Sequence, residues 1–267
     1  MNNDIEKDFN LGGSVERALS GNYELKAGEV FREAWGHTIK NFLSFSPAIV
    51  ALIVVQLAIF YIALKLQLGD PSVIFDILTS PETIDPRIPQ TIFIANFSYE
   101  VISAPIYAGV SLMAMSHAAG LTTKPRHIAK GLQYTVPVIL ATLFSLLLHG
   151  IAIQILPFLS IYLSIAFSNS ILLICEKQIP PMQSLLLSLR AANKKIFTLA
   201  GIYLLIVLMF FAASMFYGLG LIFVLPFFFH VKGIIYRNMF GIKLKVVATD
   251  RPKDEDDNDD DSQVFNA

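Results

Sequence analysis

Residues 42–68 read FLSFSPAIVALIVVQLAIFYIALKLQL, with no acid and with Lys65 as the only base. At 1.5 Å per residue a helix of this length is about 40 Å long, more than the roughly 30 Å hydrocarbon core of a bilayer. In lipid every backbone N–H and C=O must be bonded inside the protein. A continuous apolar run of this kind therefore specifies a transmembrane helix, because barrel strands are far shorter and alternate in polarity.

Five further runs follow, at 91–117, 134–155, 157–175, 196–217 and 219–236. The composition agrees with them: 54% of residues are hydrophobic and 15% charged, with a mean hydropathy of +0.59, whereas soluble domains carry about 25% charged residues. A net charge of -1 gives no basic face for a nucleic acid. Cys175, the one cysteine, cannot form an intramolecular disulfide.

Basic residues orient the spans. With the N-terminal side in the cytoplasm, Lys7 to Lys40, then Lys124, Arg126 and Lys130, then Lys177, Arg190, Lys194 and Lys195 all fall inside. Lys232, Arg237, Lys243, Lys245, Arg251 and Lys253 are counted inside as well, leaving only Lys65 and Arg87 of 20 basic residues outside. This positive-inside bias predicts six spans with both termini cytoplasmic.

Three amphipathic stretches precede odd-numbered spans. LKAGEVFREAWGHTIKN, residues 25–41, groups Val30, Phe31, Ala34, Trp35 and Ile39 near one face and reads as a helix on the headgroups. KPRHIAKGLQY and PPMQSLLLSLRAANKK repeat the device before spans three and five, each opened by proline, which suits a first helical turn. In the second of these, Leu185, Leu186, Leu189 and Ala192 form the apolar face. The expected fold is all-α: a polytopic membrane bundle of six transmembrane helices, arranged as three units of interfacial helix plus two-span hairpin. Residues 1–24 read as a polar cytoplasmic tail, 25–245 as the membrane domain and 246–267 as an acidic, disordered cytoplasmic tail. The sizeable outer loop, 69–90, holds Pro71, Pro81, Pro86 and Pro89.

EVFREAW at 29–35, the Pro-Ile-Tyr-Ala-Gly stretch at Pro105 to Gly109, and LPFFFHVKGIIYRNMFG from Leu225 to Gly241 together resemble a group of bacterial inner-membrane proteins labelled proline- and glycine-rich transmembrane proteins. The likeness covers about 25–245. It implies a six-span fold in a bacterial inner membrane and no assigned reaction.

Chemistry is sparse. Glu100 is the acid well inside a span, where an ionised carboxylate is costly unless paired, protonated or hydrated. His149 lies at a depth where it could meet Glu100, and Asn96, Asn169 and His230 are further intramembrane polar groups. These five form the candidate polar cluster, read either as a proton- or cation-linked path or as interhelical hydrogen bonding. Pro105 and Pro226 are candidate kinks. There is no phosphate loop, no His-Glu-x-x-His, no paired cysteine and no Gly-x-Ser-x-Gly elbow. His117 and His127, ten residues apart, make a poor metal pair, and DEDDNDDD at 254–261 lacks the glycine and final glutamate of a calcium loop. No catalytic residue, cofactor or metal is therefore expected. The expected role is a non-enzymatic membrane protein of envelope maintenance or membrane partnership, with the bilayer, other membrane proteins or its own copies as partners. The alternative is a small-solute or ion transporter using Glu100.

Overall fold

The computed structural model describes residues 6–70, 72, 87–215 and 217–247. Most of the 69–90 loop and nearly all of the 246–267 tail lie outside the described residues. Six stretches are helical, long and apolar enough to cross a membrane, and the chain is a multi-pass, all-α membrane protein. The helices are α1 (Val15–Ser20), α2 (Ala27–Lys40), α3 (Phe42–Leu68), α4 (Arg87–Ala118), α5 (Thr135–Ile155), α6 (Pro157–Ala166), α7 (Ser170–Lys177), α8 (Pro181–Asn193), α9 (Ile196–Met215) and α10 (Leu221–Phe240), with a 3-10 helix at Pro125–Tyr134.

Burial separates central from peripheral spans. In α4 and α10, 72% and 61% of the apolar window is buried, against 22%, 17% and 22% in α3, α5 with its lead-in, and α9. The peripheral helices instead present Leu43, Leu66, Leu147 and Phe197 outward, a pattern that would be unstable in water and is suited to lipid. α3 runs antiparallel to α4: Phe45 meets the His117 ring at 5.3 Å, Gln56 bonds Ser103 and Phe60 meets Tyr99 at 6.1 Å.

α2 does not stand apart from the spans. Its buried stripe of Val30, Ala34 and Thr38 docks along α10, with Glu33 on Arg237, Thr38 on His230 and Trp35 on Phe227. Ile39 is exposed, and Trp35 is half-exposed at the edge of the contact with Phe227.

The 3-10 helix also departs from a flat interfacial stretch and runs alongside α4. Thr123 bonds His117, a Cβ on Gly109 would lie 1.9 Å from the Ile128 carbonyl oxygen, and one on Gly131 would lie 2.0 Å from that of Pro105. Two glycines facing each other let the backbones approach within a distance that any side chain forbids.

The fourth span, expected as one helix, is broken at Phe167–Asn169. Ser and Asn compete for backbone bonds and weaken a helix locally. The break survives because Ser188 of α8 bridges it: its hydroxyl donates to the Ala166 carbonyl at 2.6 Å and accepts from the Asn169 N–H at 3.3 Å. Consequently α8 buries Ser184, Leu185, Ser188, Ala191 and Ala192, a stripe that shares Leu185 and Ala192 with the apolar face read in the sequence but is centred on Ser188, and Leu186 is exposed.

Residues 6–24 are folded. Strand β1 (Glu6–Leu11) pairs antiparallel with β2 (Ile242–Val247), from Glu6 opposite Val247 to Leu11 opposite Ile242. β2 thus enters the first two residues of the stretch read as an acidic tail. Gly12 follows at φ +95, where a Cβ would meet the Arg237 carbonyl at 2.4 Å. Ser14 caps α1 by accepting from the Arg17 N–H. Tyr23 donates to the Ala191 carbonyl at 2.8 Å, and Lys195 donates back to the Tyr23 carbonyl.

Candidate polar cavity

A cavity of about 520 Å³ lies among α3, α4, α5, α6, the break before α7, and α10. α4 supplies Tyr99, Glu100, Ser103 and Tyr107 to its wall. Glu100 and Tyr107, seven residues apart, share a helix face about 10 Å long. Gln56 on α3 donates to Ser103 Oγ at 3.2 Å, and Ser103 donates to the Tyr99 carbonyl at 2.6 Å. α5 and α6 add Thr142, Ser145, His149 and Ser164, and the broken span adds Ser168.

The deepest charged group in the wall is Lys232 of α10, which is 7% exposed. Its Nζ donates to Tyr107 Oη at 2.5 Å and lies 4.8 Å from the Tyr107 ring centroid and 5.6 Å from that of Phe228. This corrects the charge count made from sequence. Lys232 lies within the 219–236 run that the sequence offers as the sixth span and is buried inside its helix, so it is not a solvent-facing lysine of the kind the charge count assumed.

The five residues proposed as one cluster divide between three places. Glu100 and His149 line this cavity, with Glu100 exposed at its open side. Asn96, one turn before Glu100, is exposed and is not part of the wall. Asn169 is buried at the broken span, its Nδ2 3.6 Å from Met239 Sδ and its Oδ1 without a protein partner. His230 belongs to a buried chain in which its Nδ1 lies 3.0 Å from Thr38 Oγ1 and its Nε2 lies 2.8 Å from His117 Nδ1, while His117 Nε2 lies 2.8 Å from Thr123 Oγ1. Both Pro105 and Pro226 are buried within continuous helices. His127 turns to its own helix start, accepting from the Lys124 N–H. Among the described residues no three His, Cys, Asp or Glu gather as a metal site.

Sequence reading also missed a pair formed by His149 and Ser164. Nδ1 of the imidazole lies 2.7 Å from the Ser145 carbonyl, which can only accept, so that nitrogen carries the proton. Nε2 lies 2.9 Å from Ser164 Oγ, whose single hydroxyl proton is shared between this nitrogen and the Ser160 carbonyl at 3.1 Å. A pairing of residues 15 positions apart across a hairpin has no local sequence signature.

A second cavity, of about 620 Å³, opens near the β1–β2 ribbon among Arg17, Tyr23, Lys26, Glu33, Lys195 and Arg237. Its cations have partners: Lys26 pairs with Glu24 and Glu29, Arg237 with both oxygens of Glu33, Lys195 with the Tyr23 carbonyl and Arg17 with that of Asn22. Partial burial acts to raise the Glu33 pKa, but hydrogen bonds from His37 and Arg237, with the charge of Arg237, outweigh it and hold the carboxyl at about 2. Burial pushes the Tyr23 phenol up to about 12.

No family model, curated protein or solved structure matches the chain.

Proposed function

We propose that the chain is a carrier for a small polar solute in a bacterial inner membrane, with both termini in the cytoplasm. The observation that supports it is the cavity itself. An acid, an imidazole, a lysine and several hydroxyls converge inside a set of apolar spans, where each such group is costly unless it serves a partner or a path. The wall includes a broken span, a device that leaves backbone and short polar side chains facing a binding cavity in many transporters. Bundle packing alone would favour filling this volume with aliphatic side chains. Of the two roles expected from sequence, solute transport accounts for the cavity, and envelope maintenance gives it no purpose.

The test is uptake into liposomes containing the purified protein, across panels of labelled amino acids, organic acids and inorganic ions. Saturable uptake of at least one solute is expected, and Glu100→Gln should lower it at least tenfold while leaving thermal unfolding close to the parent's. Leak-level uptake of every solute in the parent overturns the carrier reading.

The 2.9 Å approach of His149 Nε2 to Ser164 Oγ supports a second reading, in which the serine turns its proton from the Ser160 carbonyl to the imidazole and acts as a nucleophile with a neighbouring base. A fluorophosphonate probe separates the two. Labelling that is lost in both Ser164→Ala and His149→Ala would place hydrolysis ahead of transport.

A further inference from the structure

We infer that the solute is a small monocarboxylate whose carboxylate seats on Lys232. The inference rests on the carrier reading for the cavity's purpose, but its argument is independent. An ammonium has three N–H donors, and Lys232 uses one, on Tyr107. Among the described residues no carboxylate pairs with it. The chain treats its other enclosed cations differently: Lys177 pairs with Glu176 at 3.0 Å, and Arg237 pairs with Glu33 at 2.5 Å. The Tyr107 and Phe228 rings attract the charge but accept no hydrogen bond from the two remaining donors of the strength a carboxylate would. A buried cation lacking its counter-charge is strongly disfavoured, and this one opens on a polar cavity large enough for a small molecule.

The cavity also limits the charge of its occupant. Lys232 is its one lysine or arginine among the described residues, and one ammonium balances one negative charge. Glu100 lies on the same wall about 10 Å along α4 from Tyr107, too far to neutralise Lys232 and placed to repel a second anionic group. A dicarboxylate or a phosphate dianion is therefore disfavoured. A monocarboxylate with a neutral or amine-bearing far end fits, with Ser103 between Glu100 and Tyr107 along α4.

The test uses the full chain in detergent and in lipid. Thermal unfolding is followed against potassium propionate and 4-aminobutyrate, with potassium chloride at equal ionic strength as the reference and succinate and phosphate as comparisons. Both monocarboxylates are expected to raise the midpoint saturably, with half-saturation at least tenfold below that of succinate or phosphate. Lys232→Met should abolish the saturable shift and Lys232→Arg should retain it. A second measurement needs no variant: in the parent protein in lipid, the 13C carboxylate of propionate should be dephased by 15Nζ-labelled lysine in solid-state NMR. The inference is overturned if neither monocarboxylate shifts the midpoint, if the Met variant responds like the parent, if phosphate binds as tightly, or if the NMR contact is absent. Lys232-dependent binding without any flux would remove the carrier reading and leave this inference standing. Flux of a cation with no carboxylate binding would do the reverse.

Discussion

His117 Nδ1 and His230 Nε2 lie 2.8 Å apart, joining the two most buried spans through a single shared proton. The direction of the chain follows from its end. The Thr38 hydroxyl donates to the Ala34 carbonyl at 2.8 Å, so it can only accept from His230 Nδ1–H. With both rings neutral, His230 Nε2 then accepts from His117 Nδ1–H, and His117 Nε2 accepts from Thr123. Every donor is matched to an acceptor, and the Phe45 ring covers both imidazoles.

The chain should behave as one unit. Removing either ring strands a buried partner, at a cost of about 1–3 kcal/mol. Unfolding of His117→Ala, His230→Ala and the double variant should show a double-variant loss clearly smaller than the sum of the single losses. Additive losses would show that the rings act separately.

Gly131→Ala should destabilise by about 1–3 kcal/mol, the scale of an overpacked core, because its Cβ would fall 2.0 Å from the Pro105 carbonyl oxygen and nothing there is flexible. Gly150→Ala is the control. Nothing lies within 4 Å of its added carbon, and in a helix interior the change should gain up to about 1 kcal/mol. Thermal unfolding of both variants in the same detergent decides the matter.

Acid should reveal Glu33. Its folded pKa, about 2, is below the ordinary carboxyl value of 4.5, so its contribution is complete above 4.5 and is lost as the pH falls from there towards 2. Tyr23 sets the opposite limb: with its phenol raised from 10 to about 12, its contribution is lost as the pH rises through that interval. Midpoints measured against pH should lose the acid slope in Glu33→Gln and the alkaline slope in Tyr23→Phe.

Membrane sidedness can be read with cysteines, because the one native thiol, Cys175, is buried. Single cysteines replacing Glu16 and Asn193 should react with an impermeant maleimide from one side of the membrane, and one replacing Asp70 only from the other. Labelling of all three from one side would refute the six-span arrangement.

Hydropathy is a property of consecutive residues, which is why the spans were legible in the sequence: the run at 42–68 coincides with α3, and 91–117 lies within α4. What escaped depends on partners far along the chain. The break at Phe167–Asn169 is held by Ser188, the path of the 3-10 helix is fixed by Gly109 meeting Gly131, and the burial of Lys232 depends on Tyr107, 125 residues away. Glu100 and His149 could be grouped in the sequence because both carry titratable groups at similar depth, and both line the cavity wall. His230 was grouped with them by polarity alone, and its real partner, His117, had been weighed only as a metal ligand. Lys232 was misread because charge counting assigned a lysine inside the 219–236 run to the water beyond it, and its burial against Tyr107 and Phe228 shows that it is enclosed.

The pairing of β1 with β2 also sets an order of events during synthesis. Residues 6–24 leave the ribosome before any of the six spans, yet every long-range contact described for them waits for residues 191–195 or 237–247. Tyr23 gains its acceptor, the Ala191 carbonyl, once the first four spans have been made, whereas β1 has no partner strand until the sixth has been made. The ribbon can close only if both strands end on the same face of the bilayer, so its formation reports that an even number of crossings has been completed. A nascent chain that skips a span would leave β1 unpaired, an exposed edge of the kind that quality-control proteases and chaperones engage.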